Sequence, residues 1–195
     1  MRARSARGAR SRRCAGLDGA RRFRHASPPR RETTMTIQIG DRIPDATLMY
    51  MTADGPKPLA THEVFAGKKV VLFGVPGAFT PTCSAQHLPG YVDRHGELVA
   101  KGIDTVACMA VNDAFVMSAW GKAQEVDGKV LMLADGNAEL TKKLGLELDA
   151  SGFGMGTRTR RFALYAEDGV VKALEIEPGR GLTVSSAETM CSKIG

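Results

Sequence analysis

No stretch of the 195-residue sequence stays apolar for the roughly 20 residues that a membrane-spanning helix needs, so a membrane partner is not expected. Cysteine is scarce and unpaired. Cys14, Cys83, Cys108 and Cys191 stand at irregular intervals with no Cys-x-x-Cys, which argues against a disulfide framework and a structural zinc site and for a reducing compartment. There is no His-Glu-x-x-His and no clustered carboxylate pattern. His62 and His95 are isolated, so no metal is expected. Residues 1–34 contain no lysine and only two acids, Asp18 and Glu32, against eleven arginines. That segment carries +9 of the overall +6, which leaves −3 for residues 35–195. The basicity belongs to the leader.

The leader has almost no aliphatic residue beyond alanine and cannot build a packed element, so residues 1–34 are set apart from a domain at 35–195. Three accounts compete for it: an upstream stretch read from a start placed too early, an arginine-rich organelle-targeting peptide, and a nucleic-acid-binding arm. Met35 opens TIQIGDRIPD, which reads as the first edge of a domain and favours the early start, with targeting second. No apolar core of a secretory signal is present. A cytoplasmic location follows, or an organelle if residues 1–34 are a genuine address. Nucleic-acid binding by the domain is not expected.

What is present from residue 35 onward alternates strand and helix without repeats. LMYMTADGPKPLA, residues 48–60, predicts a hairpin around Asp54-Gly55, and VVLFGVP, residues 70–76, a buried strand ended by Pro76. Residues 83–101 have helical spacing, with Leu88, Tyr91, Val92 and Leu98 as the apolar set and a kink at Pro89. DTVACMAV, residues 104–111, is the next strand, and Asn112 or Asp113 caps a helix carrying Phe115, Val116 and Trp120. VLMLAD, residues 130–135, and ELTKKLGL, residues 139–146, give a third strand and a short helix. After the glycine-rich SGFGMG, residues 151–156, two strands meet at Asp168-Gly169. Ser185 with Glu188 forms a capping-box pattern for a terminal helix reaching Lys193. This order predicts an α/β protein of thioredoxin-like fold, a central mixed sheet flanked by helices.

Chemistry concentrates in GVPGAFTPTCSAQHLPGYV, residues 74–92. Cys83 follows the turn formers Thr80-Pro81-Thr82 and begins an apolar-periodic helix. Its sulfur then lies in the first turn, where free backbone N–H groups and the helix dipole favour an anion. A thiol attacks as the thiolate, so such positive potential is what a reactive cysteine needs. Thr80 adds a hydroxyl able to donate and accept at once, while Pro76 and Phe79 form an apolar wall. The plain alternative is a buried cysteine acting as a small hydrophobe, but a proline-flanked loop is an unusual place for one. A cysteine phosphatase would need an arginine where Pro89 stands, and a dithiol oxidoreductase a second cysteine at Thr80 or Gln86.

Pro76-x-x-x-Thr80-x-x-Cys83 resembles the peroxiredoxin active-site motif, and together with CMAVNDAFVMSAWGKA, residues 108–123, it is similar to the peroxiredoxin 5, or type II, branch. The likeness runs from about Ile39 to the C-terminus. It implies a thiol peroxidase acting on hydrogen peroxide and alkyl hydroperoxides without metal or organic cofactor. Cys83 would be the nucleophile that becomes a sulfenic acid, and Arg161, before Phe162, would stabilise the thiolate and the lengthening O–O bond. Thr80 and the backbone amides of Thr82 and Cys83 would hold the peroxide, and Pro76 would shield the site. A homodimer is also implied.

Arg158 and Arg160 read as a solvated strand edge, His87 as a loop or dimer packing residue, and Phe153 and Met155 as a pocket mouth or a cover over the core. Branch members that form an intramolecular disulfide carry a cysteine where this sequence has Val184. Cys108 reads as a core residue, and Cys191 sits on an unassigned helix face. A one-cysteine cycle is therefore expected, with glutathione, glutaredoxin or thioredoxin as reductant. The alternatives are a redox-sensing relay that passes a disulfide to a partner with little peroxidase turnover, and a nucleic-acid protein resting on residues 1–34.

Overall fold

The computed structural model describes residues 35–195, and the arginine-rich leader, Cys14 included, lies outside them. A seven-stranded sheet runs in the order β2-β1-β5-β4-β3-β8-β9. Its centre is parallel: β3 (Lys69–Gly74), β4 (Thr105–Ala110) and β5 (Leu131–Ala134). One flank is the hairpin of β1 (Thr47–Thr52) and β2 (Gly55–Ala60). The other is the hairpin of β8 (Phe162–Glu167) and β9 (Val170–Ile176), antiparallel to β3. Asp168 and Gly169 both take positive φ, 46° and 74°, the conformation a tight right-twisted hairpin requires.

Alternation along the central strands divides the core in two, because successive side chains point to opposite faces. Val70 and Leu72 of β3, with Ala107 and Met109 of β4, pack beneath α1 (Thr61–Phe65) and α5 (Glu139–Lys143). Val71, Phe73, Val106 and Cys108 face the other way, into a cluster with Cys83, Tyr91, Trp120 and Met190. That second layer holds α2 (Leu88–Asp93), α3 (His95–Ala100), α4 (Ala114–Ala123) and α6 (Ala187–Lys193). Gly74 is required at the end of β3, since a Cβ there would overlap the ring of its cross-strand partner Phe162.

Two local expectations need correction, and two further segments gain detail. The segment at 83–101 is not one kinked helix. A π-helical turn, Cys83–His87, precedes α2, with the Leu88 amide bonded to Cys83 O, and a break at Arg94 separates α2 from α3. Pro89 has no N–H to give to Ala85, and the wide turn just before it absorbs the missing donor. The terminal helix is capped by Ser186, whose Oγ accepts from the Thr189 amide at 3.2 Å, because Ser185 is committed to Glu177. Phe115 is 66% exposed on α4, while Trp120 is buried and Asp113 supplies the cap. Finally, SGFGMG is the tip of a two-stranded ribbon, β6 (Glu147–Asp149) with β7 (Thr157–Thr159), whose three-residue arms are too short to show a period.

Candidate active site

The loop leaving β3 is pinned before the helix starts. Val75 N–H bonds to Met109 O at 3.0 Å, and the Ala78 amide donates to Asn112 Oδ1 at 3.1 Å. Phe79 takes φ 61°, an expensive left-handed conformation for a non-glycine residue that reverses the chain into the helix. Thr80 O accepts from Ser84 N at 3.0 Å, the first helical bond, and Pro81 follows where its missing N–H costs nothing. Thr82 and Cys83 therefore lie in the first turn, whose amides have no intrahelical acceptor. Thr80 Oγ1 donates to Gly77 O at 2.9 Å. Its proton is thus engaged within the loop, and the hydroxyl offers substrate its lone pairs.

Cys83 is fully buried. Arg161, 4% exposed at the entrance to β8, donates from Nη2 to Cys83 Sγ at 3.4 Å and from Nη1 to His87 Nδ1 at 3.0 Å. No carboxylate among the described residues forms an ion pair with this buried guanidinium, and its Nε has no acceptor. An unpaired buried cation is costly. The two side-chain acceptors that the guanidinium meets are Cys83 Sγ and His87 Nδ1.

His87 was expected to be a packing residue, yet it fixes the arginine. Nδ1 accepts from Arg161, so the ring's proton sits on Nε2 and donates to Ser185 O at 3.0 Å. Burial, reinforced by the Arg161 charge, pulls its pKa down to about 3, and the ring stays neutral. Tyr91 OH donates to the same carbonyl at 3.0 Å. The 183–185 segment is in turn held by Glu177. Its carboxylate accepts from the Thr183, Val184 and Ser185 amides, each at 2.8 Å, and from the Thr183 and Ser185 hydroxyls at 2.6 and 2.9 Å. Burial alone would raise the Glu177 pKa, but these bonds outweigh it and hold the group at about 2. The His87 spacing of four from Cys83 was the only sequence signal for this network. Nothing local marked Glu177.

Thr80, Thr82, Pro76 and Arg161 line a cleft of about 600 Å³, and Phe153 and Met155, read from the sequence as a pocket mouth or a cover over the core, line it too. Arg160 borders it too, donating to Glu177 O at 3.2 Å. Arg158 instead braces the loop, bonding Met155 O and Val111 O, both at 2.9 Å. Cys108 and Cys191 are buried, and burial pushes both thiols up, Cys108 strongly. His62 and His95 remain apart from the site. The described residues contain no cluster of metal-ligating side chains, and no helix among them is long and apolar enough to cross a membrane.

The redoxin family matches residues 38–191 of the chain. Peroxiredoxin-2E-2, chloroplastic, of Oryza sativa subsp. japonica is 56% identical over 160 residues, covering 80% of this chain and 71% of the relative. This chain belongs to the peroxiredoxin family. Among solved structures, reduced Prx3 of Vibrio vulnificus in complex with H2O2 is 51% identical with a TM-score of 0.79, covering 82% of this chain and all of that one. Peroxiredoxin 5 from Alvinella pompejana is 37% identical, with a TM-score of 0.72 over 81% of this chain and 97% of its own. The resemblance read from the motif and the thioredoxin-like fold both hold. The peroxiredoxin described by residues 35–195 is a peroxidase of the oxidoreductase class.

Proposed function

We propose that this peroxiredoxin reduces hydrogen peroxide and alkyl hydroperoxides through Cys83. The observation that carries the reading is the buried Arg161 guanidinium, donating to Cys83 Sγ at 3.4 Å with no described carboxylate to neutralise it. The thiolate attacks the distal peroxide oxygen. An S–O bond forms as the O–O bond breaks, and the departing alkoxide or hydroxide takes up a proton to leave as alcohol or water. The product on the protein is a sulfenic acid. The first-turn amides of Thr82 and Cys83 and the spare Arg161 Nε–H are the donors available to peroxide oxygen, and Thr80 Oγ1 accepts the peroxide proton. Pro76 limits water at the sulfur.

Thr80 separates a peroxide-binding motif from a mere turn. Thr80→Ser is expected to retain much of the rate. Thr80→Val is expected to lose about a hundredfold, as removal of one preorganised hydrogen-bonding group does elsewhere, with little change in circular dichroism. A near-parental rate in Thr80→Val would strip the hydroxyl of its role.

The reductant we propose is an external thiol, glutathione directly or through glutaredoxin, with thioredoxin as the alternative. Val184 stands where a disulfide-forming cysteine would be, and Cys108 and Cys191 are both buried with raised pKa values. A homodimer is proposed on the face that bears Phe79 and Phe115, 56% and 66% exposed. The Ala78–Asn112 bond ties their two segments together. Sedimentation at micromolar concentration should give twice the monomer mass, shifted toward monomer in Phe115→Asp. A reducing compartment suits this chemistry. The cytosol is our placement, although a relative is described as chloroplastic, and the distribution of a fluorescent fusion with and without residues 1–34 decides between the two.

A further inference from the structure

The cleft bordered by Pro76, Thr80, Thr82 and Arg161, the residues around Cys83, is not evenly lined. Leu148, Phe153, Met155 and Pro178 give it apolar walls, while Arg180 and Arg160 stand at its border. The Arg180 guanidinium lies 4.4 Å from the centroid of the exposed Phe153 ring, a cation–π contact that holds it in place and leaves its edge N–H donors free. Arg180 makes no ion pair with a described residue. The domain is otherwise acidic, at −3 for residues 35–195, so this cationic edge is a local feature and not part of a general basic surface. Two acids border the same space. Glu177 is saturated by five hydrogen bonds, and Asp149 is ionised and turned to the Ser151 amide at 2.9 Å. Asp149 weakens the cationic character of the rim but does not pair with either arginine.

Resting on the peroxidase reading, we propose that the cleft selects amphipathic hydroperoxides carrying a carboxylate, long-chain hydroperoxy acids, with Arg180 receiving the carboxylate. The alkyl chain runs along the apolar walls and the hydroperoxide reaches Cys83 beside Arg161. There the O–O bond breaks as described above, and the corresponding hydroxy acid leaves. A carboxylate of this kind is ionised at neutral pH, and arginine offers it two parallel donors. Glutathione also presents carboxylates, so the oxidative and reductive half-reactions must be read apart. The apolar walls favour the hydroperoxy acid.

Trp120 supplies the readout. It is the single tryptophan, and its Nε1 donates to Ser84 Oγ at 3.0 Å, one residue from Cys83. Reduced protein is mixed, without reductant, with a long-chain hydroperoxy acid, its methyl ester or hydrogen peroxide, each below micelle-forming concentration, and the fluorescence change is timed. The acid is expected to react about two- to fivefold faster than the ester, the range of a partly exposed charge pair, and the ratio should shrink with added salt. In Arg180→Ala the ratio should fall to about one, and in Arg180→Lys most of it should return. Equal rates for acid and ester in the parent, or a ratio that survives Arg180→Ala, overturn the proposal. So does a parental ratio accompanied by weaker use of glutathione in the separate reductive step, which would assign Arg180 to the reductant. If none of the three peroxides oxidises Cys83, the peroxidase reading itself falls and this proposal with it, a result distinct from equal rates.

Discussion

Replacing Cys83 with serine is expected to bring peroxide reduction down to the uncatalysed background, whichever thiol is supplied. A serine hydroxyl is essentially never ionised at neutral pH, so the variant lacks the sulfur nucleophile that the proposed attack on the O–O bond requires. Cys108→Ser and Cys191→Ser should keep most of the activity with a glutathione-based donor. Both thiols are buried, and burial raises their pKa values, so neither is an accessible nucleophile. Cys108 lies within β4 between Ala107 and Met109, and serine there buries a hydroxyl at a cost of about 1–3 kcal/mol. Cys108→Ala accordingly accompanies it, to keep a loss of fold from passing as a loss of chemistry. The measurement is peroxide consumption coupled to thiol oxidation. Inactivity of Cys191→Ser with every external donor, at unchanged thermal midpoint, would end the one-cysteine cycle.

Strands with strong periodicity and turns with obligatory chemistry were legible in the sequence, and features that depend on distant partners were not. The Asp168-Gly169 hairpin was readable because two consecutive left-handed residues favour those types. β3 and β4 were readable as short apolar runs closed by Pro76 and by Asn112-Asp113. The terminal cap was displaced by one residue because Ser185 and Ser186 are equivalent in pattern. Only the Glu177 carboxylate, eight residues upstream of Ser185, distinguishes them by binding Ser185. The same holds at the site. Cys83, Thr80 and Pro76 belong to one loop and declare themselves by spacing, whereas His87 matters through a guanidinium 74 residues away. A neutral histidine accepting from arginine has no local signature.

That connection also sets what the next substitution should do. Arg161→Ala is expected to slow peroxide reduction by about a hundred- to a thousandfold, the loss seen when a preorganised electrostatic group is removed from a buried site. Two bonds vanish together: the donor to Cys83 Sγ at 3.4 Å and the donor to His87 Nδ1 at 3.0 Å. Arg161→Lys restores the charge but not the fork. A single ammonium on a flexible stem does not reproduce the planar geometry that serves sulfur and imidazole at once, so its rate should fall between parent and alanine. His87→Gln offers a carbonyl oxygen to Arg161 and an amide to Ser185 O, and should lose less than His87→Leu, which leaves the guanidinium with one fewer acceptor in a dry site.

Alkylation of Cys83 by iodoacetamide separates chemistry from scaffold, because it reads thiolate reactivity without peroxide binding. It should slow in Arg161→Ala in the same order as peroxide reduction. His87 titrates near 3, so it contributes no inflection between pH 5 and 8 in the parent profile. An inflection in that window that disappeared in His87→Gln would show the imidazole exchanging protons during turnover and not simply holding the arginine. Near-parental peroxide and alkylation rates in Arg161→Ala, with the fold intact, would remove this guanidinium from the reaction. The cation would then have to come from Arg158 or Arg160, which in the structure face backbone carbonyls rather than the sulfur.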